Sequence, residues 1–299
     1  MSSAARDDDD PPLLAVMIAA ARAAGDAIMA VYREADFGVT LKGDRSPVTR
    51  ADLVAHEIIA DQLLAAEPSM PLLSEEAPQA PWQQRRQWRR YWLVDPLDGT
   101  REFISRNDEF TVNIALVDEG VAVLGVILAP VTGTCYVGQR LGRDQHRWQA
   151  WKVTAEGRRS RISTRRAPLG TGDDPFILAV SRRRGPWRSE RLTGRLADSF
   201  GTVRHQVLGS SLKMCLIAEG RADLYTCFGP TGEWDTAAGQ AILEAAGGRL
   251  CELDGGPRRY NQGAEPINPP VYAAGDGTVA WQALLTGNPG DTEQGGEGS

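Results

Sequence analysis

The sequence predicts a mixed α/β (α+β) fold, and three observations carry that prediction. The first half joins two amphipathic helical stretches to a β-rich meander, and the second half alternates strand-like and helix-like runs. With 299 residues, 42% hydrophobic and 24% charged, the chain can build a substantial core in one large domain or two close lobes.

Taken in order, Asp10-Pro11 supplies an N-cap and a first-turn proline for a long helix from Leu13 to Tyr32, with Arg22 and Asp26 one turn apart. Those two charges break the apolar run, and Asp7 to Asp10 replace a positive n-region, so neither a membrane span nor a signal peptide is expected. The expectation is a cytoplasmic protein with a disordered acidic N-terminus over residues 1–12. A second helix is expected from about Arg50 to Ala66. The apolar run Met70 to Leu73 then leads to Ser74-Glu75-Glu76 and a Pro- and Gln-rich connector to Arg90.

Phe110 to Val117 and Val121 to Ala129 are rich in β-branched residues around Asp118-Glu119-Gly120 and read as a hairpin, which Val131 to Val137 extends. The Arg-rich stretch from Gln139 to Gly172 is expected to carry peripheral strands and a mobile loop. Further on come a strand (Phe176 to Val180), two helices (Trp187 to Ser199, Ser211 to Glu219), a strand (Ala222 to Tyr225) and a helix (Trp234 to Ala246). Past Leu285 the Gly- and Glu-rich residues 286–299 lack apolar side chains and are expected to be disordered.

A net charge of −6 argues against non-specific nucleic-acid binding, which draws on clustered Lys and Arg. His56, His146 and His205 lie far apart, and Cys135, Cys215, Cys227 and Cys251 form no CxxC pair, so no zinc cluster is expected. The cysteines read as reduced core residues. The oligomeric state has no signal in the sequence.

The segment Trp92-Leu93-Val94-Asp95-Pro96-Leu97-Asp98-Gly99-Thr100 reads as a buried strand running into two carboxylates on a tight turn. Pro96 forbids a regular helix, and Gly99 permits a close backbone approach. Two carboxylates, a carbonyl from between them and a hydroxyl suit Mg²⁺ or Ca²⁺. The alternative is that Asp95 ends a strand and Asp98 caps the next helix.

Asp95-Pro96-Leu97-Asp98-Gly99-Thr100, together with Gly229-Pro230-Thr231-Gly232-Glu233-Trp234-Asp235-Thr236-Ala237-Ala238-Gly239, resembles the two signatures of the Mg²⁺-dependent, lithium-sensitive phosphatases. That family includes inositol monophosphatase and the 3'(2'),5'-bisphosphate nucleotidases. Leu73-Ser74-Glu75-Glu76, Arg101-Glu102-Phe103-Ile104, Phe110 to Leu116 and Gly209-Ser210-Ser211-Leu212-Lys213 are similar to the nucleotidase branch of the CysQ type, and the resemblance covers roughly residues 13 to 275. It implies a layered α-β-α-β-α fold, with a metal-binding lobe over about 13–170 and a substrate lobe over about 171–285.

The resemblance implies two Mg²⁺ ions, with a third left open. Glu75, Asp95 and the Leu97 carbonyl would hold the first; Asp95, Asp98 and Asp235 would hold the second, with Glu76 supporting Glu75. Thr100 would orient the attacking water and Asp52 would help take its proton. Each has a plainer reading: Thr49 and Asp52 as a capping pair, Thr100 as a helix-start hydroxyl, Asp235 as an N-cap. Glu75, Leu97, Asp98, Gly99, Thr100 and Asp235 would also touch the substrate, its scissile phosphate resting on the Gly99 and Thr100 N–H groups.

A second phosphate would meet Ser210, Ser211, Lys213, Arg182 and Arg184, against the plainer reading of the arginines as a solvated loop. Here the chain departs from the nucleotidase branch, which carries His where Arg184 stands. The implied activity is removal of the 3'-phosphate of adenosine 3',5'-bisphosphate, and of the 3'-phosphorylated sulfate donor. An inositol or sugar monophosphatase is the alternative on the same scaffold; a catalytically silent metal- or nucleotide-binding regulator is the alternative of another class. Weak peripheral association with the inner membrane, known for relatives of this type, has no visible anchor in the sequence.

Overall fold

Two helices lie on one face of a seven-stranded sheet in the computed structural model, which describes residues 12–41, 43, 47–140, 148–168, 174–182 and 186–286. Helix α1 (Pro12–Tyr32) is followed by a two-residue antiparallel pair, β1 (Thr40–Leu41) and β2 (Pro47–Val48), and then by α2 (Arg50–Ala66). Next come β3 (Leu72–Ser74), α3 (Trp82–Arg85), β4 (Arg90–Asp98), α4 (Thr100–Ile104), β5 (Thr111–Asp118), β6 (Val121–Ala129), β7 (Thr134–Gln139), β8 (Gln149–Val153) and β9 (Arg159–Arg161). These strands form the large sheet in sequence order from β3 to β9, antiparallel throughout except for the parallel β3–β4 pair.

The rest of the described chain runs β10 (Phe176–Val180), α5 (Pro186–Phe200), β11 (Val203–Val207), α6 (Leu212–Ala218), β12 (Leu224–Cys227) and β13 (Thr231–Gly232). A 3₁₀ turn (Glu233–Asp235) then precedes α7 (Ala237–Ala245), β14 (Arg249–Glu252), β15 (Ile267–Asn268), β16 (Val271–Ala274) and α8 (Trp281–Thr286). A second sheet is ordered β11-β10-β12-β16-β14, and β13 pairs with β15.

Three buried clusters define five layers. Leu14, Met17, Ile28 and Ile59 of the first two helices pack on Trp92, Val94 and Ile114 of the large sheet. The other face of that sheet, with Leu93, Ala115 and Ile127, packs on Met214, Ile217, Ala238 and Ile242 of α6 and α7, which also rest on Val271 and Ala273 of the second sheet. Phe176, Leu178 and Tyr272 close the third cluster with Leu196 of α5 and Trp281 and Leu285 of α8. The order α-β-α-β-α is therefore observed. Gly125 and Gly138 permit the central contact, because a Cβ at either would stand 2.3 or 2.4 Å from the α7 backbone.

The helices at Pro12–Tyr32, Arg50–Ala66 and Pro186–Phe200 and the hairpin follow the sequence expectation. Helix α1 is long and apolar enough to cross a membrane, but Leu14, Met17, Ala20, Ala21, Ala24 and Ile28 are core residues against its neighbours. The helix expected from Trp234 to Ala246 is divided: its first residues form the 3₁₀ turn and Thr236 takes the N-cap position of α7. Strands β8 and β9 match the expected peripheral strands. The expected mobile loop falls largely on residues 141–147 and 169–173, outside the described residues, as do the N-terminus through residue 11 and the tail from 287. All four cysteines are buried free thiols.

Candidate active site

The site begins where β4 loses its register against β5. Asp95 pairs with Asn113 and Asp98 with Thr111, so one extra residue bulges between the two carboxylates at Pro96-Leu97. A strand interior excludes proline, which cannot donate to the ladder, and a bulge accepts it. Leu97 N donates to Asp95 Oδ1 at 3.1 Å, which pins the carboxylate to its own turn. Gly99 follows at φ +92°, a left-handed conformation that reverses the chain into α4, with Thr100 as its first residue.

The parallel β3–β4 pair brings in the next acid. Ser74 lies opposite Val94, and Glu75 N donates to the Val94 carbonyl at 3.1 Å, which sets Glu75 beside Asp95. Asp235 arrives from the other half of the chain on the 3₁₀ turn, its Oδ2 held by Gly232 N at 2.9 Å. Glu75, Asp95 and Asp235 each offer an oxygen within 4.8 Å of the others.

Asp98 is held from two sides. Its Oδ2 accepts from Ser211 Oγ at 2.6 Å and from Asn113 Nδ2 at 3.3 Å, and Asn113 also donates to Ser211 at 2.8 Å. Ser211 Oγ lies 2.9 Å from the Asp235 carbonyl, so one buried hydroxyl ties Asp98 to the Asp235 turn.

Thr100 Oγ1 donates to Asp52 Oδ1 at 2.9 Å and lies 3.4 Å from the Leu97 carbonyl. Asp52 Oδ2 accepts from Thr49 N at 2.8 Å and Thr49 Oγ1 at 2.6 Å, a capping box at the start of α2. The capping reading of Asp52 is thus correct for one carboxylate oxygen, while the other faces Thr100.

Electrostatics follow from this crowding. Burial, and then the charges of Glu75, Asp98 and Asp235, push Asp95 well above the usual carboxylate range. Burial, then Asp98 and Glu75, does the same to Asp235. Burial raises Asp98 against the opposing pull of the Ser211 bond and the Lys213 charge, and it raises Asp52 against its bonds from Thr49 and Thr100. Several buried acids that resist ionisation together call for positive charge, and an all-oxygen, carboxylate-rich donor set fits a hard divalent cation.

A cavity of about 340 Å³ opens over these groups, lined by Glu75, Asp95, Leu97, Asp98, Gly99, Thr100 and Asp235 on one side and by Ser181, Gly209, Ser210, Ser211, Lys213 and Tyr225 on the other. Lys213 is 5% exposed, and its ammonium donates to the carbonyls of Leu208 and Ser210 at 3.3 and 2.5 Å while lying 5.1 Å from the Tyr225 ring centre. Ser211 lines the cavity and gives its hydroxyl to Asp98, with Asn113 and the Asp235 carbonyl beside it. Arg182 does not line the cavity, because Glu109 binds its guanidinium at 2.6 Å. Arg184 lies outside the described residues.

The sequence gives Asn113 no role of its own within its motif, and Glu109, whose carboxylate holds Gly209 N at 2.8 Å, has none either. The Asp98–Asn113 and Asp235–Gly232 bonds join residues that lie within the quoted motifs, and Asn113 stands out as an amide in the otherwise apolar strand Val112 to Val117.

The profile of the inositol monophosphatase family matches residues 9–284. The chain is 45% identical over 250 residues to the 3'(2'),5'-bisphosphate nucleotidase CysQ of Escherichia coli (strain K12), covering 83% of this chain and 94% of that protein. Against the CysQ of Salmonella typhimurium the identity is 46% with the same coverage. Among solved structures, CysQ from Bacteroides thetaiotaomicron, a bacterial member of the inositol monophosphatase family, superposes with a TM-score of 0.72 at 38% identity, over 88% of this chain and 97% of that one. The extragenic suppressor protein suhB from Bartonella henselae shares the fold, with a TM-score of 0.72 and 24% identity over 92% and 99% of the two chains.

Proposed function

The chain belongs to the inositol monophosphatase family, and from that membership we propose that it hydrolyses the 3'-phosphate of adenosine 3',5'-bisphosphate to AMP and phosphate in the cytoplasm, using Mg²⁺. The observation that carries the reading is the Glu75, Asp95 and Asp235 cluster, which lines one cavity together with Thr100, itself bonded to the buried Asp52. The names of the CysQ relatives support the nucleotide substrate. We read residues 13–170 as the lobe that holds metal and 171–285 as the lobe that receives the substrate.

Glu75, Asp95 and the Leu97 carbonyl would hold one ion, and Asp95, Asp98 and Asp235 a second. When bound, such ions neutralise the carboxylates, acidify a coordinated water and withdraw charge from the leaving oxygen. The chain's own groups do the rest. Thr100 donates its proton to Asp52, so its oxygen accepts a hydrogen bond from the attacking water and aims the lone pair at phosphorus. As the water attacks, its proton passes to Thr100 Oγ1 while the Thr100 proton passes to Asp52; the bond from phosphorus to the 3'-oxygen breaks, and that oxygen takes a proton from solvent. Thr49 holds the other Asp52 oxygen and fixes the carboxylate through the transfer.

The N–H groups of the first turn of α4, which have no partner within the helix, face the scissile phosphate in this reading. Ser210 and Lys213 form the opposite wall that would meet the second phosphate. Phosphate release with Mg²⁺ from adenosine 3',5'-bisphosphate and from inositol 1-phosphate, with and without Li⁺, tests the proposal. The expected result is a higher kcat/KM on the nucleotide and inhibition by Li⁺; a preference for inositol phosphate would keep the metal site and overturn the substrate.

A further inference from the structure

Glu109 stands on the turn between α4 and β5 and reaches the opposite wall of the cavity. Its Oε2 accepts from Gly209 N at 2.8 Å and from Arg182 Nε at 3.3 Å, and its Oε1 accepts from Arg182 Nη2 at 2.6 Å. Arg182 is 46% exposed and Glu109 18%, so the Gly209 bond is the sheltered member of the pair. The two backbones nearly touch: a Cβ on Gly209 would stand 2.8 Å from the Glu109 carbonyl and 2.7 Å from Glu102 Cγ.

Both sides of this contact are stiff. The turn that presents Glu109 holds Arg106 and Asp108 at φ +53° and +69°, conformations that persist in non-glycine residues only where the surroundings over-determine them. Here Arg106 donates to the carbonyls of Tyr32 and Glu34, and Asp108 accepts from Tyr32 Oη at 2.8 Å. Across the gap, Ser210 sits at φ +45° with the Lys213 ammonium drawn onto the carbonyls on either side of Gly209. The next residue, Ser211, gives its hydroxyl to Asp98.

We infer that Glu109 is a positioning residue that holds the Gly209–Ser211 wall against the turn bearing Asp98, and so sets how tightly the cavity accepts the non-reacting part of its substrate. The inference rests on the phosphatase reading above. Glu109 does not itself line the cavity and touches no reacting group. Its effect passes through Gly209 to a wall that Leu208, Ser211 and Lys213 also hold.

The test compares Glu109→Ala and Glu109→Gln with the unaltered enzyme, measuring kcat and KM on adenosine 3',5'-bisphosphate and hydrogen exchange at residues 208–211. Losing the acceptor of a charge-assisted bond should raise KM roughly tenfold in Glu109→Ala, with kcat within about twofold. Glu109→Gln, whose amide oxygen still accepts from Gly209 N, should recover most of that KM. Exchange at 208–211 should quicken in Glu109→Ala and not in Glu109→Gln. A fall in kcat at constant KM, equal impairment of the two variants, or unchanged exchange would each overturn the role. If the unaltered enzyme ignores the nucleotide, the substrate assignment falls separately, and exchange alone decides the positioning claim.

Discussion

Thr100 is the first residue of α4, and in the proposed mechanism its hydroxyl also orients the attacking water. Its proton goes to Asp52, a buried carboxylate from a helix 48 residues earlier, rather than to a group of its own turn. Thr100→Val, which keeps the shape and removes the hydroxyl, should lower kcat by about 10²–10⁴-fold with KM within about twofold. Thermal unfolding should stay close to the parent, so steady-state kinetics beside a melting scan checks the assignment, and an unaltered kcat would leave the Thr100 hydroxyl with only its structural bond to Asp52. At this scale, much of the cluster could be read from the chain because Asp95, Pro96, Asp98 and Gly99 state their turn chemistry locally. Asp52 emerged only through family resemblance, and Glu109 not at all, since its partner Gly209 lies 100 residues away and neither residue declares the other.

The turn that delivers Asp235 depends on charges buried behind it. Arg258 donates to Glu233 Oε1 at 2.8 Å and to Asn268 Oδ1 at 2.9 Å, Asn261 N donates to the same glutamate, and Arg85 donates to the Asn261 side chain at 2.9 Å. Asn268 in turn holds the Gly232 carbonyl at 2.6 Å, three residues before Asp235. Arg258→Ala would leave Glu233 buried without its guanidinium and should cost about 3–5 kcal/mol, seen as a lower denaturant midpoint with an unchanged slope. A midpoint equal to the parent's would show that the glutamate finds another partner.

Helices α1 and α2 could be placed from sequence, and so could the β5–β6 hairpin, from its β-branched residues and the Asp118-Glu119-Gly120 turn. Strand β16, Val-Tyr-Ala-Ala, is buried along its whole length and shows no alternation, so only its neighbours define it as a strand. The break at Thr236 was hidden for a related reason: the residues on both sides suit a helix, and the turn is imposed by the bonds of Asp235 to Gly232 and of Asn268 to Gly232.

Across the molecule, the crowded carboxylates couple folding to pH and metal. Asp95 and Asp235 have folded pKa values raised above the unfolded value of about 3.9, so they bind protons more tightly when folded. Their contribution to stability is fully present below the unfolded pKa and is lost as pH rises through the raised folded values. In the metal-binding reading proposed above, bound Mg²⁺ would require the ionised carboxylates and reverse the loss. Melting scans at about pH 5 and about pH 8 should therefore show a larger Mg²⁺-induced rise in Tm at the higher pH; an equal rise at both would remove these two acids from the binding site.

The large sheet ends on three-residue strands at both margins, β3 and β9. Strand β9 is Arg159-Ser160-Arg161, with the Arg159 guanidinium 3.8 Å from the Trp151 ring centre on the neighbouring strand. A short border with two like charges is a poor template for another strand. The sheet that carries Asp95 and Asp98 is thereby guarded at this margin against growing into a fibre, and the fence is built from residues outside the acidic cluster.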